Sequence, residues 1–239
     1  MRCPLDLSGE AFFQRRAGEG FPSSIRGPVG QSKEDDSYLI IDALTGLLSL
    51  VQMGVLEIHS WGCREDDLDR PDHQMFDLDP GTGIAWEHVV ASGKFVRDYL
   101  KDLDLISFVK TSGGKWIHVV LPIRRRTPWQ ETKAFASPIG HDIVRIALRN
   151  FVTTMAKSRR THRVLVDFFR NMRGSTTVAP YSTSARPGAC VSTPLRWEEL
   201  SVKHSPAHFT LNTVIRRLSR MKADPWKGYR GATNPSRSR

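Results

Sequence analysis

Residues 75–81 read Met75-Phe76-Asp77-Leu78-Asp79-Pro80-Gly81. Successive side chains of a β-strand point to opposite faces, so Phe76 and Leu78 face a core while Asp77 and Asp79 project together from the other side. Pro80-Gly81 then stops the strand, because proline has no N–H to give to the ladder. Two carboxylates on one face repel each other unless a cation lies between them. Hard oxygen ligands suit Mg²⁺ or Mn²⁺, which keep part of their water shell and bind phosphates. The segment therefore predicts a central strand and a candidate metal site, although a strand-end turn or cap can carry the same motif.

Outward from this strand, helices and strands are mixed. Trp86–Leu103 is an amphipathic helix with Val89, Val90, Val96, Leu100 and Leu103 at near-helical spacing, interrupted by Gly93. Ser107–Lys110 and Trp116–Ile123 read as strands flanking a hairpin at Thr111-Ser112-Gly113-Gly114-Lys115. Toward the N-terminus, Ala43–Met53 is an apolar helix and Val55–Trp61 a strand, together read as a buried helix and strand. Trp129–Thr154 is helical in pattern, with Pro138 and Gly140 expected to kink or split it. Arg163–Phe169 is a further strand, and a helix is expected around Asn212–Met221. Residues 18–37, 62–74 and 174–194 read as loops. This mixture predicts an α+β domain over 1–226 with a mostly antiparallel or mixed sheet, followed by a basic, disordered tail at 227–239.

Within the strand 163–169, Asp167 is a lone acid among apolar residues. An unpaired carboxylate there is costly, so a cation is expected beside it. A divalent metal shared with Asp77 and Asp79 would serve, and so would an ion pair with Arg163 or Arg170. Three carboxylates from two strands are enough ligands for two metals. The Ser112–Lys115 turn lets backbone N–H groups approach phosphates, with Lys115 and His118 adding charge, although a plain hairpin turn would look the same. His59, central in its strand, is by itself more often a satisfied core histidine than a catalytic one.

Charge is unevenly spread. Residues 1–120 hold 12 Lys/Arg against 19 Asp/Glu, and residues 121–239 hold 23 against 6, for a chain net of +10. An acidic centre beside a basic half suits a polyanion such as DNA, and Arg124, Arg125, Arg126, Arg159 and Arg160 are the candidate phosphate contacts. Cys3, Cys63 and Cys190 are too few and too scattered for a disulfide framework or a zinc cage. Neither a signal peptide nor a membrane span is legible, so a cytoplasmic setting is expected.

Five segments in order carry a resemblance: LVQMGVLEIHSWG (50–62), FDLDPG (76–81), SFVKTSGGKWIHVVLP (107–122), VDFFRN (166–171) and VAPYSTSARPGACVSTPL (178–195). Together they resemble the polymerase module of bacterial ligase D, a branch of the archaeo-eukaryotic primase superfamily, from Arg2-Cys3-Pro4 to about Trp226. That resemblance implies a primase-like catalytic core, with sheets and flanking helices around a central cleft. It implies nucleotide addition at DNA 3′ ends, gap filling in non-homologous end joining, Mn²⁺ or Mg²⁺ as two ions, and an incoming NTP or dNTP. It further implies a bacterial, nucleoid-associated setting, with Ku and a separately encoded ligase as partners.

Position by position, Asp77, Asp79 and Asp167 match the family's metal-binding aspartates, and His59 the histidine beside metal and triphosphate. Ser112, Lys115 and His118 match its nucleotide-contacting element, and Arg170 and Arg186 match basic residues of the nucleotide site. Phe13 and Gln14 fit a Phe-Phe-Gln-Lys segment, with Arg15 in the lysine position. The chain departs from the pattern at Trp116, where the family has glycine, and at Ser184, where it has arginine. The family module also carries further residues before the segment matching Arg2-Cys3-Pro4, including a grip on a DNA 5′-phosphate. Two other readings stay open from the residues: a DNA-end-binding relative that polymerises poorly, and a metal-dependent nuclease using the same three aspartates.

Overall fold

The computed structural model describes residues 1–4, 11–14, 20–27 and 38–236. Its elements run α1 (Leu44–Gln52), β1 (His59–Ser60), β2 (His73–Pro80), α2 (Trp86–Asp102), β3 (Phe108–Thr111), β4 (Ile117–Pro122), α3 (Trp129–Ile146), β5 (Phe151–Val152), β6 (Val164–Asp167), β7 (Thr177–Val178), β8 (Pro194–Leu195) and α4 (Leu211–Arg220). Six strands form one sheet in the order β5-β6-β2-β4-β3-β8, and β1 pairs with β7 in a second. Every neighbour is antiparallel except β5–β6. The fold is α+β with open, mixed sheets, as the residue pattern predicts.

The alternation in β2 sets the layering. Phe76 and Leu78 are fully buried on one face, in a core with Val89, Val96 and Leu100 of α2 and Ala136, Ile139 and Ile143 of α3. Both helices therefore cover the apolar face of the sheet, and the aspartates emerge on the other. Two glycines permit this close packing. A Cβ at Gly93 would lie 2.5 Å from Ile117 Cδ1, and one at Gly140 would lie 2.4 Å from Phe168 Cδ1. Gly93 is thus not an interruption of α2 but the point where it touches β4.

Several expectations are corrected. Helix α3 runs unbroken through Pro138 and Gly140 but stops at Ile146. Residues 151–152 leave it to form β5, because pairing beside Val164 and Leu165 buries Phe151 and Val152. The strand expected at 55–61 shrinks to two residues. Helix α1 buries Gly46 and Leu50 but leaves Leu44, Leu47, Leu48 and Val51 exposed. The tail is not loose through Ser236. Tyr229 stacks on Trp226 with centroids 4.9 Å apart. Buried Asn234 donates to the carbonyls of Ile106 (2.7 Å) and Pro122 (2.9 Å) and accepts from the Ile106 amide (2.8 Å). A polar composition suggested a solvated tail, yet the amide of Asn234 satisfies backbone groups at the sheet margin. Among the described residues, no helix is long and apolar enough to cross a membrane.

Candidate active site

The sheet register builds the site. Asp77 of β2 lies opposite Asp167 of β6 on one side and His118 of β4 on the other. His118 in turn lies opposite Lys110 of β3. One row across four strands therefore carries Asp167, Asp77, His118 and Lys110, and all four side chains are buried. Asp79 follows two residues along β2, on the same face. The small β1–β7 sheet covers this face: His59 pairs with Val178, whose carbonyl accepts a 2.7 Å hydrogen bond from Lys110 Nζ.

Electrostatics in the row is unfavourable without a further cation. Asp77 Oδ1 is buried and has no hydrogen-bond partner among the described residues, and His118 Nε2, at 3.6 Å, is too far to supply one. Burial, followed by the charge of Asp167, pushes the Asp77 carboxyl up to about 7. Asp79 is ion-paired with Arg160, yet its carboxyl is also raised, because burial outweighs that partner. Arg170 Nε stands 3.4 Å from Asp167 Oδ2, so the ion-pair reading of Asp167 holds with one of the two arginines foreseen. Burial pushes the Lys110 ammonium down to about 7 against the pull of Asp77. Burial and the neighbouring Lys110 hold His118 well below its ordinary value, as a neutral ring.

Among the described residues, no three His, Cys, Asp or Glu side chains are arranged as a metal cage. The donor chemistry nevertheless fits a hard divalent cation: a buried carboxylate oxygen without a partner among the described residues, a second carboxylate opposite it, and a third two residues along β2. With Arg160 on Asp79, a cation would have to share or displace that guanidinium.

The other expected residues divide. Buried Ser112 knits its own turn, donating to the Trp116 carbonyl (2.9 Å) and accepting from the Gly114 amide (3.2 Å). Lys115 is exposed at the hairpin tip. Ser112 thus closes the turn, Lys115 stands at its tip and His118 lies in the row on β4. Arg186 lies over the Trp116 ring, 5.4 Å from its centroid, so the Trp116 departure and the nucleotide-site arginine meet. Ser184 is buried, and its hydroxyl has no partner among the described residues. Arg15 lies outside the described residues; Phe13 touches His59 edge-on with centroids 5.2 Å apart. Of the five arginines expected on DNA, Arg124, Arg126 and Arg159 are exposed. Arg125 is engaged bidentately by Asp66 (2.7 and 2.8 Å), and Arg160 is buried on Asp79. Both are neutralised by carboxylates within reach, which basic runs in a sequence do not reveal.

Three contributors escape the motif reading. Lys110 was the visible one, a charged residue inside an apolar strand. Asn171 clamps β2 to the turn after β6, accepting from the Met75 amide (2.7 Å) and donating to its carbonyl (2.8 Å). Glu57 accepts from His59 Nε2 at 2.5 Å.

Known proteins resemble this chain in sequence and in fold. The sequence model of the LigD primase-polymerase domain matches residues 1–226. The chain is similar to the multifunctional non-homologous end joining protein LigD of Pseudomonas aeruginosa, with 34% identity over 97% of this chain and 28% of the relative. It is also similar to the bifunctional non-homologous end joining protein LigD of Bacillus subtilis, with 26% identity over 96% of this chain and 37% of the relative. The chain thus spans well under half the length of these relatives. Among solved structures, the polymerase domain from Mycobacterium tuberculosis ligase D in complex with DNA superposes with a TM-score of 0.84 and 28% identity, covering 97% of this chain and 83% of that one. The chain belongs to the LigD primase-polymerase domain family.

Proposed function

We propose that this chain is a nucleotidyltransferase that adds nucleotides, ribonucleotides included, to DNA 3′ ends during non-homologous end joining. The observation that carries this reading is the pairing of Asp77 with Asp167 across β2–β6, one Asp77 oxygen being buried without a partner among the described residues. Family membership, and a related polymerase domain solved with DNA, support it.

Asp77, Asp79 and Asp167 would hold Mg²⁺ or Mn²⁺. When bound, such ions lower the pKa of an attacking hydroxyl and neutralise phosphate oxygens. The protein's own groups have distinct jobs. Neutral His118 packs against Asp77 and adds no competing charge to the row. Lys115 and Arg186, exposed near the hairpin, offer cations to a triphosphate. His59 flanks the same face from β1. Arg170, 3.4 Å from Asp167, orients its carboxylate. Arg124, Arg126 and Arg159 are exposed and would meet DNA phosphates. The partners implied are a DNA end with primer and template, an NTP or dNTP, Ku and a ligase, in a cytoplasmic, nucleoid-associated setting.

The test is incubation with a labelled primer-template, ATP and Mn²⁺. Extension is expected, and Asp167→Ala should abolish it while leaving the circular dichroism spectrum unchanged. DNA retained but not extended would favour a DNA-end-binding relative, and shortening would favour a nuclease.

A further inference from the structure

We propose that Glu57 is a positioning residue for the nucleotide site, fixing the orientation and tautomer of His59 and anchoring the loop that carries Arg186. The inference rests on the nucleotidyl-transfer reading above. Glu57 and His59 are two apart on an extended segment and project to the same side. One carboxylate oxygen of Glu57 lies 2.5 Å from His59 Nε2, and the other accepts a 2.8 Å hydrogen bond from the Ala185 amide. Burial would raise the Glu57 carboxyl, but the bonds from His59 and Ala185 outweigh it and hold the group below its usual range. An ionised carboxylate can only accept, so the bond places a hydrogen on His59 Nε2, which in a neutral ring leaves the lone pair on Nδ1.

The second oxygen acts one residue from Arg186, which lies over Trp116 and beside Gly114 of the hairpin. A single side chain therefore ties β1 to the 183–190 loop at the point where both reach the site. Other bonds join the same segments without it. The Ile58 amide donates to Ser182 Oγ (2.8 Å), the Ala179 amide donates to the Ile58 carbonyl (2.8 Å), and the Thr183 hydroxyl donates to the Leu56 carbonyl. Removing the Glu57 carboxylate should thus loosen two functional groups locally and leave the chain folded.

Two variants separate positioning from mere stapling. Glu57→Ala removes both contacts. Glu57→Gln keeps a carbonyl oxygen for the Ala185 amide but turns an NH₂ donor toward His59, which then must present a lone pair at Nε2 and carry hydrogen on Nδ1. Ring nitrogen NMR of the metal-free protein should report an Nε2–H tautomer in the wild type and an Nδ1–H tautomer in Glu57→Gln. In primer extension with ATP and Mn²⁺, Glu57→Ala should raise the ATP KM by roughly tenfold, the worth of one hydrogen bond to a charged group, with a smaller change in kcat. Glu57→Gln should recover part of that KM through the retained loop anchor. Identical His59 ring signals in all three proteins, or an ATP KM untouched by Glu57→Ala, would overturn the proposal. A wild-type chain that extends no primer would instead sink the nucleotidyl-transfer reading, and the tautomer measurement alone would then decide whether Glu57 positions His59.

Discussion

Asp77 is enclosed, one of its oxygens lacks a partner among the described residues, and Asp167 stands opposite it in register. Its carboxyl is raised from 3.8 to about 7, so the folded state holds a proton that the unfolded chain has already released. Between those values stability falls as pH rises, because the native state binds more protons than the unfolded one. Asp77→Asn should therefore raise Tm in chelator-treated buffer at pH 8, by a free energy of up to roughly 4 kcal/mol, and the gain should shrink as pH drops toward 4. The same variant should not extend a primer. A Tm difference independent of pH would show that Asp77 is not held protonated at neutral pH by its surroundings. Trp116 offers a second check at this scale. Its ring carries the Arg186 guanidinium, a cation–π contact worth about 0.5–1 kcal/mol at an exposed site, so Trp116→Gly should raise the ATP KM about two- to fivefold. The departures at 116 and 184 were both visible in the residues. That Trp116 holds Arg186, and that Ser184 is buried, were not, because each depends on a loop distant in sequence folding back onto the hairpin.

Among the elements, β2 was the most legible, since alternation of Phe76 and Leu78 with Asp77 and Asp79 is a strictly local pattern. Helix α3 was the least. Its proline suggested a break, yet packing of Ala136, Ile139 and Ile143 on the sheet holds the helix through Pro138. Gly140 belongs to that packing, because its missing side chain leaves room for the Phe168 ring next to Asp167. Gly140→Ala should force Phe168 aside and destabilise the fold by about 1–3 kcal/mol, read as a lower denaturant midpoint with unchanged slope. It should also slow primer extension, since Phe168 adjoins a proposed metal ligand. Stability equal to that of the wild type would mean that helix and ring separate without cost. Strand β5 and the ordered tail were missed for a shared reason: both gain their structure from partners across the sheet, Val164 and Leu165 for one, Ile106 and Pro122 for the other.

For the whole molecule, the basic half remains the candidate face for DNA, with the five arginines expected there reduced to three exposed ones. Arg124, Arg126 and Arg159 are exposed, whereas Arg125 and Arg160 are held by Asp66 and Asp79. DNA affinity should fall with salt, and each of Arg124→Ala, Arg126→Ala and Arg159→Ala should reduce the log–log slope by about 0.9 for every phosphate left without its cation. Arg125→Ala should leave the slope unchanged; an equal reduction there would mean that its ion pair opens on DNA. The acidic centre, the strand and hairpin around it, the α+β class and the family likeness all follow from the residues in order, because periodicity, turn chemistry and motif order are properties of short stretches. The pairing of Asp77 with Asp167, the seating of Arg160 on Asp79, the burial of Lys110 and the reach of Glu57 to the Ala185 amide come only with the folded chain. Each joins segments tens of residues apart, and register and burial, not local sequence, determine which charge ends beside which.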